Sequence, residues 1–288
     1  MAFQLSERCS GVITLGNHRV ICGDCTNPKD VSRLMQESHA KLLFTSPPYS
    51  DIYEYSGNNL APFHLARFIP NFRDYADILC INLGIKKRNH EIITYWDEYI
   101  SAAHECGLKL LSWNVWDKIN PGSIAQQQFM FPLRHEFIFV FGKSPVKLNR
   151  TIPKHGRDFL AGHILLPEKR GARERDGTMK LHTSNHQYHE KCKQLETVIT
   201  QGAVKSRPVW GTAQMPVKLA EEYIKAVTNE GDCVIDPFGG SGTTLIACEK
   251  LNRRCFTMEI NPAMCDVIVQ RYDKFTQQKT FSEMIINE

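Results

Sequence analysis

The sequence predicts an α/β protein with a doubly wound parallel sheet, and two observations support this. Seven short runs of residues are continuously apolar, which is typical of strands buried on both faces. Segments with helical spacing of apolar residues lie between most of these runs. Strands that alternate with helices form a sheet covered on both sides, so we expect this architecture for most of the chain.

The predicted strands are short, as in 41–45 (KLLFT) and 135–141 (HEFIFVF). The full set is 19–23, 41–45, 77–83, 108–115, 135–141, 233–236 and 254–259. A helix is predicted within 89–107, where Gly107 suits a cap. Its apolar positions recur every three to four residues and are Ile92, Tyr95, Trp96, Tyr99, Ile100 and Ala103. A second helix is predicted from 216 to Gly231, with one apolar face formed by Val217, Ala220, Ile224 and Val227.

Length and composition indicate an ordinary globular protein. The chain has 288 residues, of which 42% are hydrophobic and 23% charged, enough for one large domain or a domain with an insertion. No apolar run approaches the roughly 18 residues that cross a bilayer, and the N-terminus lacks a secretory signal pattern. Ten scattered cysteines are typical of buried thiols in a reducing compartment. We therefore expect a cytoplasmic protein without a membrane partner.

The positive charge is concentrated in one central segment. Residues 143–205 contain 13 Lys and Arg against 6 Asp and Glu, with many Pro, Gly and His residues and little periodicity. This pattern is typical of a nucleic-acid contact surface, although a solvated insertion would have the same composition. We predict a basic insertion at 143–204 between the two halves of one core, residues 1–142 and 205–288.

Four side chains within that segment recur at helical spacing: His182, His186, His189 and Cys192. Such a face could hold a metal ion, but a polar face of the basic insertion is the simpler explanation of the spacing. We expect the polar face and predict no bound metal.

A glycine-rich turn in 233–262 predicts a ligand site. A strand ends at Asp236, glycines follow, and Thr243 and Thr244 begin a helix, whose N-terminal N–H groups can face a ligand. The spacing matches neither the dinucleotide fingerprint nor a phosphate-binding P-loop. The next strand ends at Glu259, a carboxylate suited to the two hydroxyls of a ribose. We infer a nucleoside-type cofactor without a pyrophosphate.

A second unusual turn is FTSPPYS at 44–50, directly after a predicted strand. Pro47 and Pro48 each hold φ at about −65° and restrict the residue before them, so the turn is stiff. By itself this run fits a surface turn as well as a functional site.

Together the two turns resemble those of a known enzyme family. DPFGGSGTT resembles the S-adenosylmethionine motif of the amino-group DNA methyltransferases, and TSPPY resembles their catalytic motif. The catalytic motif comes first and the basic segment lies between the two, which is similar to the permuted β group. VICGDC resembles the family strand whose terminal acid, here Asp24, reaches the cofactor adenine. RHEFIFVFGKS resembles the family segment that closes the target-base side of the pocket. TAQMPVKLAEEYI is a loose match that lacks the His-Pro pair often found there.

The resemblance covers about residues 12–142 and 205–275, and it implies a seven-stranded fold and S-adenosylmethionine as cofactor. The cofactor-binding positions implied are Asp24, Thr45, Asp236, Phe238, Gly239, Gly240, Ser241, Gly242, Thr243, Thr244, Glu259 and Asn261. The catalytic positions implied are Ser46, Pro47, Pro48 and Tyr49.

The chemistry of amine methylation accounts for the Ser-Pro-Pro-Tyr residues. An exocyclic base amine is a poor nucleophile, so hydrogen-bond acceptors must hold it beside the methyl donor. The Ser46 hydroxyl and the Pro47 carbonyl are the candidate acceptors. Tyr49 offers a ring on which a flipped-out base can stack, with Phe137 or a nearby aromatic on the other face.

The first residue of the motif bears on the choice of base. In the family, Ser accompanies cytosine N4, whereas Asp or Asn accompanies adenine N6, so Ser46 favours N4-methylcytosine. Carbon-5 methylation uses a cysteine, usually after proline, and this chain has no Pro-Cys pair.

We therefore expect a site-specific cytosine-N4 DNA methyltransferase of a restriction–modification system, acting on double-stranded DNA by base flipping. A cognate restriction endonuclease would be its partner. Adenine-N6 methylation, methylation of RNA or a protein amide, and a non-catalytic nucleic-acid-binding relic remain as alternatives. The recognition sequence and the oligomeric state are left open. DNA contacts are expected from Lys154, Arg157, Lys169, Arg170, Arg173 and Arg175.

Overall fold

The computed structural model describes residues 11–48, 65–119, 131–153, 170–173, 179–182, 192–203, 215–276 and 284–285. Two compact units are distinguished along the chain. The larger comprises Met1–Asn149 together with Glu196–Glu288, and the smaller is Arg150–Leu195.

Strands and helices alternate through the larger unit. The strands of the whole described chain are β1 (Val12–Leu15), β2 (His18–Cys22), β3 (Ala40–Thr45), β4 (Ala76–Gly84), β5 (Lys86–Arg88), β6 (Glu91–Ile93), β7 (Lys109–Asp117), β8 (His135–Gly142), β9 (Arg150–Pro153), β10 (Arg170–Arg173), β11 (Met179–His182), β12 (Cys192–Gln194), β13 (Val198–Thr200), β14 (Cys233–Asp236), β15 (Arg254–Glu259) and β16 (Met284–Ile285). The helices are α1 (Pro28–Met35), α2 (Ile69–Phe72), α3 (Trp96–Glu105), α4 (Val217–Val227), α5 (Thr243–Lys250) and α6 (Pro262–Thr276), with a 3-10 turn at Leu65–Phe68.

Ten strands form the main sheet, in the order β13-β7-β8-β4-β3-β14-β15-β2-β1-β16. Neighbours from β4 through β3, β14 and β15 to β2 pair in parallel. Strand β8 runs antiparallel between β4 and β7, and β1 and β16 are antiparallel at the far edge. The predicted α/β fold is confirmed, although the sheet is mixed rather than wholly parallel.

All seven predicted strands are confirmed, as β2, β3, β4, β7, β8, β14 and β15. The central strands are apolar throughout because both faces are covered, and Leu42, Leu43, Val234 and Ile235 have no exposed surface. Strand β13 also joins this sheet, beside β7, although residues 198–200 lie inside the predicted basic insertion, 143–204.

The predicted helix in 89–107 begins later than expected. Helix α3 starts at Trp96, and Ile92 instead lies in β6, where its side chain is 45% exposed. Strands β5 and β6 form a hairpin whose turn residues, Asn89 and His90, have φ of 50° and 68°. Left-handed turn residues of this kind favour a hairpin over a helix, which explains the error.

The predicted helix before Gly231 ends early. Helix α4 stops at Val227 because Thr228 takes an extended conformation and donates its hydroxyl to the Ile224 carbonyl at 2.6 Å. The residues up to Gly231 form the turn that leads into β14.

The smaller unit contains two antiparallel strand pairs, β9 with β12 and β10 with β11. His182 lies in β11 and Cys192 in β12, so the single helical face predicted for the four metal candidates is wrong at both ends. His186 and His189 lie outside the described residues. Among the residues described, there is no group of three His, Cys, Asp or Glu side chains that could hold a metal. Of the described helices, none is long and apolar enough to cross a membrane.

Candidate active site

Four of five neighbouring parallel strands bring the predicted site residues to one edge of the sheet. Asp24 follows β2, Glu259 ends β15, Asp236 ends β14, and Ser46 follows β3. Because β2, β15, β14, β3 and β4 run in the same direction, their carboxyl ends lie side by side. Ligands of open α/β sheets bind at this edge.

The glycine-rich turn packs tightly against β15. Gly239 donates its N–H to the Met258 carbonyl at 2.7 Å, and a Cβ added at Gly239 would lie 2.5 Å from Thr257 Oγ1. Gly240 and Gly242 have φ of 50° and 80°, in the left-handed region that glycine adopts without strain. The turn therefore needs glycine for close approach at one position and for backbone conformation at two others.

Glu259 holds the turn from the neighbouring strand. Its Oε2 accepts the Gly240 N–H at 2.8 Å and its Oε1 accepts the Asn261 N–H at 3.0 Å. Burial raises the pKa of this carboxyl, and backbone hydrogen bonds from Asn261, Gly240 and Ile260 oppose that rise. A carboxylate has about four lone-pair sites, so it can still accept a hydroxyl group of a ligand.

Asp236 links the two sequence motifs. The Thr45 hydroxyl donates to Asp236 Oδ1 at 2.6 Å across 191 positions of sequence, and the Phe238 N–H reaches the same oxygen at 3.2 Å. Asp236 is only 4% exposed, and burial raises its pKa to about 7, an effect that these hydrogen bonds oppose. The end of β3, which leads into Ser46, is thus tied to the strand that leads into the glycine-rich turn.

Asp24 lies at the third strand end. Its Oδ1 accepts both the N–H and the hydroxyl of Thr26, each at 2.8 Å, and these bonds fix the turn that leads into α1. The Gly23 N–H donates to the Glu259 carbonyl at 3.0 Å, so the ends of β2 and β15 are held together. Asp24 and Glu259 therefore lie at neighbouring strand ends.

The hydroxyl residues of the glycine-rich segment are packed inside the protein. Ser241, Thr243 and Thr244 are each less than 9% exposed. Arg271 donates one Nη1 to the Ser241 carbonyl and hydroxyl at 2.9 Å, and also approaches the Thr243 hydroxyl at 3.3 Å. Their contribution to a ligand would come from main-chain N–H groups more than from side chains.

The side chains of two further predicted cofactor-binding residues, Phe238 and Asn261, make contacts within the protein. Phe238 packs edge to face against Phe68 at 5.1 Å, and Asn261 caps α6 by accepting the Ala263 N–H at 2.9 Å.

The Ser-Pro-Pro turn leaves β3 at the same edge. Ser46 is half-buried, Pro47 is buried and Pro48 is exposed, while Tyr49 lies outside the described residues. Asn82 Nδ2 lies 3.3 Å from Ser46 Oγ and 2.6 Å from Glu136 Oε2.

A charged pair continues this network, because Lys118 forms an ion pair with Glu136. The sequence patterns did not lead us to Asn82, Glu136 or Lys118. A signal was present, since Asn82 and Glu136 are polar residues inside two otherwise apolar strand runs.

Two apolar side chains lie near the site, those of Phe137 and Ile260. Phe137 pairs in register with Leu83 and packs edge to face on Trp96 and Trp113, each with ring centroids 5.4 Å away. It therefore lies on the sheet face opposite Asn82, and its stacking on a base stays a prediction. Ile260, which no sequence motif singled out, is 58% exposed directly after Glu259 and provides apolar surface beside that carboxylate.

Of the predicted DNA contacts, Arg170 and Arg173 lie in β10. Lys154, Arg157, Lys169 and Arg175 lie outside the described residues.

Comparison with known families gives a match over most of the chain. Residues 40–270 match the N6/N4 methyltransferase family model, described as DNA methylase. The orphan methyltransferase M.BamHII of Bacillus amyloliquefaciens is 26% identical over 246 residues, which cover 81% of this chain and 89% of the relative. The type II methyltransferase M.HpaI of Haemophilus parainfluenzae is 26% identical over 264 residues, covering 86% and 73%.

Solved structures match as well. The PvuII DNA methyltransferase, described as cytosine-N4-specific, superposes with a TM-score of 0.60 at 17% identity and covers 92% of both chains. The complex of M1.HpyAVI with S-adenosylmethionine gives a TM-score of 0.54 at 20% identity, covering 88% of this chain and 97% of the other. At these identities the likeness establishes the shared fold.

Proposed function

This chain belongs to the N6/N4 DNA methylase family, and we propose that it methylates the exocyclic N4 of cytosine at a specific sequence in duplex DNA. The observation that carries the proposal is the hydrogen bond from Thr45 to Asp236. It joins the strand end that presents Ser-Pro-Pro to the strand end that presents the glycine-rich turn. The proposed sites for the amine and for the methyl donor would thereby be adjacent.

S-adenosylmethionine is the methyl donor of the family, and the residues at the sheet edge fit it. Asp236 and Glu259 are carboxylates for which no Lys or Arg partner occurs among the described residues, which suits an ammonium and ribose hydroxyls. Exposed Ile260, directly after Glu259, suits an adenine ring. When bound, the donor supplies an electrophilic methyl group.

We assign the donor-binding role to the residues of the neighbouring strand ends and the turns that follow them. They are Asp24, Thr45, Asp236, Phe238, Gly239, Gly240, Ser241, Gly242, Thr243, Thr244, Glu259 and Asn261. Main-chain N–H groups of the glycine-rich turn, at the start of α5, would contribute hydrogen bonds without rearranging.

In the proposed mechanism, Ser46 Oγ and the Pro47 carbonyl accept hydrogen bonds from the target amine. Holding both hydrogens of the amine turns its lone pair toward the donor site. Pro47 and Pro48 keep the turn stiff, so the carbonyl is directed without an entropic cost at each turnover. Tyr49 would stack on the flipped base, which offsets part of the few kcal/mol that base extrusion costs.

The choice of cytosine rests on Ser46 and on the overall likeness to a methyltransferase described as cytosine-N4-specific. The alternative is adenine-N6 methylation by the same residues, because the family includes both activities. An Asp or Asn at position 46 would favour adenine, whereas this chain has Ser. Methylation of RNA or of a protein amide, and a non-catalytic role, are disfavoured by the family match and by this motif.

DNA binding is assigned to the basic residues of 143–204, including Arg170 and Arg173 of β10 and the flanking Lys154, Arg157, Lys169 and Arg175. Their charge would neutralise phosphates, and the arginines would also suit bidentate contacts to guanine. Since M.HpaI is named a type II methyltransferase, we propose a role in a restriction–modification system, in the cytoplasm and with an endonuclease as cognate partner.

The test is product identification. Purified protein, S-adenosylmethionine and duplex DNA are incubated, the DNA is digested to nucleosides, and the methylated nucleoside is identified by mass and retention. N4-methylcytosine is expected. N6-methyladenine would establish the alternative, and 5-methylcytosine or an unmodified product would contradict the proposal. Ser46→Ala tests the proposed amine acceptor. This variant should lose most of the methyl transfer while still binding S-adenosylmethionine.

A further inference from the structure

A buried polar chain runs from Ser46 into the sheet. Asn82 in β4 has no exposed surface, and its Nδ2 lies 3.3 Å from Ser46 Oγ and 2.6 Å from Glu136 Oε2. Glu136 in β8 is 6% exposed and pairs with Lys118. From this network we infer that Asn82 is a positioning residue that sets the direction of the Ser46 hydroxyl. The inference rests on the proposed function and assigns a role within the same site.

The ion pair fixes the orientation of the Asn82 amide. A carboxylate bound to Lys118 can only accept hydrogen bonds, so Asn82 must present its NH₂ group to Glu136. The same nitrogen carries the second hydrogen, which is directed at Ser46 Oγ. If the amide were turned around, its carbonyl oxygen would face the carboxylate, which is unfavourable. The directions of the two hydrogen bonds that Asn82 makes to Glu136 and to Ser46 are therefore determined.

This polarity decides what Ser46 offers to the substrate. A serine hydroxyl has one hydrogen and two lone pairs, and Asn82 occupies one lone pair. The other lone pair can accept from the target amine, and the hydroxyl hydrogen is directed away from Asn82. In cytosine and adenine, the ring nitrogen beside the amine is an acceptor for that hydrogen. Ser46 can thus bind both groups of the base edge at once.

The same polarity argues against Ser46 as a proton relay to Glu136. Asn82 donates to Ser46 rather than accepting from it, and an amide does not pass a proton on to the carboxylate. A relay would need a carboxylate in contact with the serine. The two arrangements predict opposite results when an acceptor replaces Asn82.

Asn82→Asp is the decisive variant. An aspartate at position 82 would accept the Ser46 hydroxyl hydrogen, which would then no longer face the base. We expect the turnover rate at pH 8 to fall about 100-fold, the size of effect seen when an enzyme loses one oriented hydrogen-bond donor. The adjacent carboxylates would share a proton, so the variant should show a new ionisation in its turnover profile, with the loss deeper at pH 9 than at pH 6. A purely structural defect would not introduce that ionisation.

Asn114→Asp is the matched control. Asn114 is also a buried asparagine, in the same cross-strand row two strands away, but it donates to Tyr223 at 3.0 Å. We expect the turnover rate of Asn114→Asp to stay within about threefold of wild type, because this substitution leaves the hydrogen bond from Asn82 to Ser46 intact. Binding of S-adenosylmethionine and thermal unfolding are measured for every variant to verify folding.

Two further variants complete the experiment. Glu136→Gln leaves Asn82 in place but removes the fixed acceptor, and a fall of about tenfold is expected as the amide loses its orientation. In a Ser46→Ala background, Asn82→Asp should cause no further loss, since it acts through Ser46. If Asn82→Asp does not fold, Glu136→Gln alone tests the inference, and wild-type turnover in that variant would overturn it.

The outcomes separate the inference from the proposed function. The wild-type protein must first be shown to transfer a methyl group to a base amine. If it does not, both the proposed function and the role of Asn82 are overturned. With an active wild type, Asn82→Asp at or above the wild-type rate would overturn the inference and favour a relay, while the proposed function would stand.

Discussion

Replacing Gly239 by alanine tests how the glycine-rich turn is built. A Cβ there would lie 2.5 Å from Thr257 Oγ1 and 3.1 Å from the Met258 carbonyl oxygen. The carbonyl belongs to β15 and already accepts the Gly239 N–H, so it cannot move away. The Thr257 hydroxyl donates to the Asp236 carbonyl at 3.0 Å, and turning it aside would break that bond.

The magnitude follows from these contacts. Overpacking costs about 1–3 kcal/mol, and the lost hydrogen bond costs about 1 kcal/mol, so Gly239→Ala should lower the free energy of unfolding by roughly 2–4 kcal/mol. If the turn shifts outward instead, each 1.4 kcal/mol of binding free energy lost would raise the Kd for S-adenosylmethionine about tenfold.

Gly240→Ala is the matched comparison, one residue along the same turn. Its Cβ would meet nothing closer than the Phe238 carbonyl at 3.9 Å, and only the left-handed backbone, with φ of 50°, opposes it. That strain costs about 1–2 kcal/mol. Urea unfolding and calorimetric titration with S-adenosylmethionine measure both variants. Equal effects in the two, or a milder effect in Gly239→Ala, would refute the packing argument.

Three other predictions concern the base, the DNA and pH. Tyr49→Ala should keep donor binding but lose most turnover, because it removes the stacking ring; a normal methylation rate would exclude that role. Replacing Arg173 and Arg175 by glutamine should weaken DNA binding and reduce the slope of affinity against salt concentration, and an unchanged slope would remove both from the interface. Burial raises the pKa of Asp236 from 3.8 to about 7, so its protonated form stabilises the fold at low pH and this stability is lost as pH rises from about 4 to 7. Asp236→Asn should therefore gain unfolding free energy over wild type across that range, and a constant difference would contradict the shift.

The fold could be predicted in large part because its signals are local. Continuous apolar runs indicated the seven strands, since burial on both faces leaves no polar alternation. The hairpin at 86–93 was not anticipated, because the left-handed turn at Asn89 and His90 competes with a helical spacing that includes Ile92. The direction of β8 also depends on tertiary pairing rather than on its own residues.

The candidate site was only partly accessible from sequence. Motif residues such as Ser46, Asp236 and Glu259 stand out because turns after apolar strands expose their chemistry. Asn82 and Glu136 lie within strands and are 54 positions apart, so their contact with each other depends on the antiparallel register of β4 and β8. The position of Phe137 also depends on this register, which places it on the sheet face opposite Asn82.

Mapping of modified bases in genomic DNA decides whether this protein is a site-specific cytosine-N4 methyltransferase. Unmethylated genomic DNA is treated with purified protein and S-adenosylmethionine and sequenced by a method that distinguishes methylated bases. We expect N4-methylcytosine at nearly every copy of one short sequence and at few other positions. Modification of adenine or of cytosine carbon 5, or methylation without a common sequence, would contradict the proposed function.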